Sequence, residues 1–76
     1  MKTAEIRLST IADVRDFVNI VSSTDIDVDL SSGRYIVDGK SIMGIFSLDL
    51  LSPIKLTAYT DDGEELFKAL DKFIIK

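Results

Sequence analysis

Histidine and cysteine are both absent from this 76-residue chain. Without cysteine there are no disulfides, no thiol chemistry and no thiolate metal sites. Without histidine, nothing stands ready to activate Ser41 or Ser47 as a nucleophile, so no catalytic arrangement is expected and no cofactor is implied. Basic runs are missing too. Nine Lys and Arg residues are scattered among thirteen Asp and Glu, and a net charge of −4 excludes the cationic footprint that nucleic-acid binding needs. No apolar run is long enough for a membrane span, and the opening residues Met1 to Arg7 lack the apolar core of a signal peptide, so a cytoplasmic protein is expected. Repeats, low-complexity segments and linkers are also lacking.

What is present suits one small domain, residues 1–76. Apolar residues make up 46% and charged residues 29%. A chain this short buries only about 60–65% of its unfolded surface, so every large apolar side chain matters. Ala4, Ile6 and Leu8 alternate with Thr3, Glu5 and Arg7, the period of a half-buried strand. Ile11, Val14, Phe17, Val18 and Val21 then fall at helical spacing, with Thr10 as N-cap and Asp13 three residues on. Ile26, Val28 and Leu30 alternate with Asp25, Asp27 and Asp29, predicting a second strand with one acidic face. Ser31-Ser32-Gly33 reads as a turn, Tyr35 to Val37 as a third strand, and Asp38-Gly39 as its end.

From Ser41 to about Leu48 the residues suit a short helix with Ser41 at its start. Pro53 closes an irregular stretch. Ile54, Leu56 and Ala58 mark a fourth strand, and Asp61-Asp62-Gly63 a turn. Asp62 and Glu65 form an expected acidic capping box for a last helix whose apolar stripe is Leu66, Leu70, Phe73 and Ile74, with Glu64 and Lys68 paired on its exposed side. The order is β-α-β-β-α-β-α. One apolar face per strand predicts an α+β fold, a four-stranded antiparallel sheet with three helices on one face and the other face in water. Phe17, Val18, Leu56, Leu66, Leu70 and Phe73 are expected in its core.

Lys40-Ser41-Ile42-Met43-Gly44-Ile45-Phe46-Ser47-Leu48 is the most specific segment. It resembles the regulatory-serine region of Gram-positive HPr proteins, the small histidine phosphocarriers of the sugar phosphotransferase system, and Lys40 to Gly44 match that motif directly. The element order is also that family's, an open-faced β-sandwich. The resemblance places Thr10 where the family has its phosphohistidine, Ala12 at its arginine and Asp13 at its proline. With no imidazole anywhere, the family's phosphorelay is excluded, since a threonine ester would not pass its phosphoryl group on. Loss of the arginine removes a cation for the phosphate.

Ser41 remains. The resemblance implies phosphorylation of this serine by an HPr kinase, followed by binding to a catabolite-control regulator, as in a histidine-lacking catabolite-repression homologue of HPr. A helix start suits a phosphate, although serine is common there simply as a cap. Ile42, Met43, Phe46 and Leu50 are the candidate partner-binding residues, some of which a small core would also claim. The alternative is a diverged HPr-fold binding module without phosphorylation; the oligomeric state is left open. Asp25, Asp27 and Asp29 have the spacing of a calcium loop, but Leu30 stands where that loop needs glycine and Ile36 where it needs glutamate, so no metal site is expected.

Overall fold

In the computed structural model, which describes residues 1–75, the alternating segments form a sheet and the helical periods pack over one of its faces. The elements are β1 (Lys2–Ile6), α1 (Ile11–Ser22), β2 (Val28–Ser32), β3 (Tyr35–Asp38), α2 (Ile42–Phe46), β4 (Ile54–Ala58) and α3 (Glu64–Ala69), followed by a 3₁₀ turn at Asp71–Phe73. All pairings are antiparallel and the strand order is β1-β4-β2-β3.

The register follows from the alternation. Ala4 faces Leu56 and Ile6 faces Ile54, while Leu56 also lies opposite Leu30. These positions make the covered face, where Ile6, Leu30, Ile54, Leu56 and Ala58 are buried beneath Val14, Phe17 and Val21 of α1, Ile45 of α2 and Leu66 of α3. The other face carries Thr3, Glu5, Asp29, Ser31, Lys55 and Thr57, the polar half of the same alternation. No buried polar side chain is found among the described residues.

Several local expectations change. The β2 strand begins at Val28, so Asp25, Ile26 and Asp27 precede it, and it runs through Ser31 and Ser32. The hairpin turn is therefore Gly33-Arg34 alone. Gly33 has φ +60°, which glycine adopts without steric cost and which suits the first position of a two-residue hairpin loop. Ile11 is 68% exposed on the first turn of α1, and Val18 is half-buried against the core.

The last helix is shorter than its apolar stripe suggested. It ends at Ala69, and Leu70 and Phe73 reach the core through the 3₁₀ turn, while Ile74 bridges to Ile6 beside β1. The acidic capping box does not form. Gly63 is the N-cap, its carbonyl accepting from Phe67 N at 2.8 Å, while the Asp62 amide is drawn back to Thr60 Oγ1. Glu64 and Lys68 are not paired either. Among the described residues the one ion pair within 4.0 Å joins Lys72 Nζ to Asp16 Oδ2 at 3.4 Å, which ties the 3₁₀ turn to α1. Phe17 and Phe73 meet edge-to-face beneath it, with ring centroids 6.1 Å apart. No helix among the described residues is long and apolar enough to cross a membrane.

Candidate functional site

Two helix starts hold the residues the sequence singles out. At the first, Thr10 has extended backbone and its Oγ1 accepts from Asp13 N at 3.0 Å, while Asp13 Oδ2 accepts from Ser9 N at 3.0 Å. The reciprocal pair closes the first turn of α1 and satisfies amides that the helix cannot. Thr10 is exposed, as are Ser9, Ile11 and Ala12.

At the second, Ser41 caps α2, its Oγ accepting from Gly44 N at 3.1 Å. The turn before it is well determined. Asp38 Oδ1 accepts from Lys40 N at 2.9 Å, and the Asp38 carbonyl accepts from Ser41 N at 3.0 Å. Lys40 Nζ donates to the Thr24 carbonyl at 3.2 Å, fastening this turn to the segment that follows α1. Gly44 lies so close to β3 that a Cβ there would stand 3.2 Å from both Val37 Cβ and Ser41 Oγ. A side chain there would require Val37 or the Ser41 cap to give by a few tenths of an ångström. No acidic side chain occupies that first turn, so added negative charge meets no repulsion within it.

The four candidate partner-binding residues divide. Met43 is 77% exposed and Phe46 41%, one helical turn apart on the same side of α2. Ile42 and Leu50 are half-buried and pack on the core beside Ile45, so they support the surface rather than form it. Sequence reasoning missed Leu51, which is 89% exposed in the turn after α2. That turn is organised by Asp49, which accepts from Leu51 N at 3.0 Å and from Ser52 Oγ at 3.2 Å. The signal for it was Asp49 itself, a residue that bonds the backbone two positions on. Ser47 ends α2, with its hydroxyl donating to the Gly44 carbonyl at 2.6 Å.

On the open sheet face, Tyr59 OH donates to Asp29 Oδ2 at 2.8 Å. This hydrogen bond, with smaller help from desolvation and the carboxylate charge, raises the phenol pKa above its ordinary value. Asp25, Asp27 and Asp29 thus do not share a strand face, and no metal-holding group of three or more acidic side chains occurs among the described residues.

No protein-family model and no curated protein matches the sequence. Solved structures do. HPr-C-His from Thermoanaerobacter tengcongensis is 32% identical, with a TM-score of 0.78 over 95% of this chain and 89% of that one. The phosphocarrier protein HPr from Bacillus anthracis is 28% identical, with a TM-score of 0.67 over 97% of this chain and 94% of that one. At 22% identity the catabolite repression protein Crh of Bacillus subtilis, described as an intertwined, domain-swapped dimer, shares the fold, with a TM-score of 0.66 over 93% of this chain and 88% of its own. HPr-like proteins are phosphocarriers that work through other proteins rather than enzymes in their own right. With a solved relative at 32% identity over 95% of this chain, and the four-stranded antiparallel sheet with three helices of the HPr-like fold, this histidine-free chain belongs to the HPr family of phosphocarrier proteins.

Proposed function

We propose that this HPr-family protein is a regulatory member that does not carry phosphate on histidine, is phosphorylated on Ser41 by an HPr kinase, and then binds a regulatory protein. The observation that carries the reading is the setting of Ser41. It is an N-cap held by its neighbours, with its Oγ on Gly44 N and no acidic residue in the following turn. A phosphate there adds about −1.5 to −2 charges and keeps oxygen acceptors beside the capping amide. Exposed Met43 and Phe46 stand on the same short helix, so a partner with an arginine for the phosphate and an apolar surface for these side chains would engage both at once.

The test uses an HPr kinase with ATP, alongside a genuine HPr as positive control. One phosphate should be added and Ser41→Ala should abolish it. Ser47→Ala should leave it intact, because Ser47 sits at the other end of α2 with its hydroxyl spent on the Gly44 carbonyl. Modification at Ser47, or none while the control is modified, overturns the phosphorylation reading and leaves Ser41 as a helix cap on an unphosphorylated binding module.

A further inference from the structure

The two edges of the sheet are finished differently. Beside β1, the segment after the 3₁₀ turn closes part of the edge, with Arg7 N donating to the Phe73 carbonyl and Ile75 N to the Glu5 carbonyl, both at 2.9 Å. The β3 edge has no such cover. It carries no proline, lysine or bulge, three of the devices by which edge strands avoid pairing with other chains; its four-residue length and Asp38 are the protection it has. Tyr35 is 71% exposed on it and Ile36 69%.

The direction of its backbone groups is fixed. Gly39 N donates to the Val28 carbonyl at 2.7 Å, and from there the hydrogen-bonded pairs of the hairpin alternate through Leu30–Val37 to Ser32–Tyr35. Ile36 and Asp38 fall at the intervening positions, so their N–H and C=O groups point away from β2. The Asp38 carbonyl is taken by Ser41 N, which leaves the N–H and C=O of Ile36 as the complete outward pair.

We propose that the β3 edge pairs with the β3 edge of a second copy of this chain, antiparallel and centred on Ile36. A two-fold axis there lets each Ile36 exchange both of its hydrogen bonds with the other. The same register sets Tyr35 beside the second copy's Val37, and Arg34 beside its Asp38. Charge complementarity chooses this arrangement. Within one chain Asp38 lies directly opposite Asp29, a like-charge pair that costs stability, while Arg34 has no ion-pair partner within 4.0 Å among the described residues. Pairing about Ile36 brings the unpaired guanidinium to the excess carboxylates twice over. A parallel pairing would set Asp38 against Asp38. A register centred on Asp38 would rest its central pair on a carbonyl already taken by Ser41 N, whereas about Ile36 that carbonyl is met only at the flanks, where the Arg34 and Asp38 side chains make the contact. The contact is short, well under the roughly 1,200 Å² of a standard interface, so the dimer is a weak, reversible one.

Sedimentation equilibrium of the 76-residue chain over a wide concentration range reads this directly. The expected result is a monomer–dimer equilibrium that weakens as salt screens the Arg34–Asp38 pairs. Ile36→Lys places two ammonium groups at the two-fold axis and should raise the dissociation constant about tenfold or more, equivalent to about 1.4 kcal/mol. Arg34→Glu should do the same by setting like charges against Asp38. Both side chains lie outside the core, and an unchanged thermal melt by circular dichroism confirms folding of each variant. A monomer at the highest concentration reached, or a dimer indifferent to both substitutions, overturns the proposal; the latter would place the contact on another face or in a strand swap.

Discussion

At the scale of single residues, the features closest in sequence are the ones the sequence reveals. Thr10 and Ser41 are both read as caps from their neighbours alone, because a cap joins a side chain to an amide three residues on and needs nothing from the rest of the molecule. Thr10→Ala and Ser41→Ala should each cost about 1 kcal/mol in urea denaturation, with unchanged m-values. A loss under a few tenths for either would mean that its hydroxyl does not hold the helix start. The Tyr59–Asp29 bond is illegible by the same logic, since it spans 30 positions and depends on the register of β2 beside β4. Its consequence is measurable. The raised phenol pKa means that the folded state holds the proton more tightly than the unfolded state does. The stabilisation is therefore complete below the ordinary tyrosine pKa and is lost as pH climbs through the raised one. Ultraviolet titration of Tyr35→Phe, which leaves Tyr59 as the sole tyrosine, should show its midpoint fall when Asp29→Asn is added. An unmoved midpoint would mean the bond is not made in solution.

At the scale of elements, periodicity predicts which residues are buried more firmly than which element carries them. Leu66, Leu70 and Phe73 have the spacing of one helix, and all three are buried although the helix stops at Ala69. A 3₁₀ turn still brings Phe73 around to Phe17, so the core contact survives the change of backbone. Ile74 shows the limit of the argument, because it continues the apolar spacing yet leaves in extended conformation to bridge Ile6. What drew it there is the free edge of β1, and no local pattern carries that. The start of β2 differs for a related reason: alternation extends back to Asp25, but the strand begins at Val28, with one bond from Tyr59 N to the Asp27 carbonyl beyond it. Leu70 sits at the junction of α3 and the 3₁₀ turn and is fully buried, so Leu70→Ala should cost about 2–5 kcal/mol in denaturant unfolding. A cost below about half a kilocalorie, far under the range for such truncations, would mean that the junction is not packed as described. The exposed Lys72–Asp16 pair should contribute under about 1 kcal/mol, and the turn is held chiefly by Phe73 and Leu70.

At the scale of the whole molecule, the open-faced sandwich was legible because the element order and the Lys40–Gly44 motif point to the same fold. The surface around α2 was only half legible, since Ile42 and Met43 are neighbours in a helix and the sheet beneath decides which of them is buried. Function divides along the same line. The fold is that of phosphocarriers, yet this chain contains no histidine. In the family a ring nitrogen near the start of the first helix holds the phosphoryl group as a labile phosphoramidate. Here Thr10 stands at the start of α1 with its oxygen on Asp13 N, and Asp13 adds a carboxylate that would repel an incoming phosphoryl group. Were Thr10 modified at all, the product would be an ester, stable in acid and unable to hand its phosphoryl group on. Incubation with the first enzyme of the phosphotransferase system and labelled phosphoenolpyruvate should therefore leave this protein unlabelled, while a histidine-bearing HPr in the same tube takes up acid-labile label. Acid-stable label at Thr10 would overturn the expectation that the site is inert but still deny a relay. Acid-labile label on this chain would refute the argument outright, because it would require a carrier atom other than the imidazole nitrogen on which the relay depends.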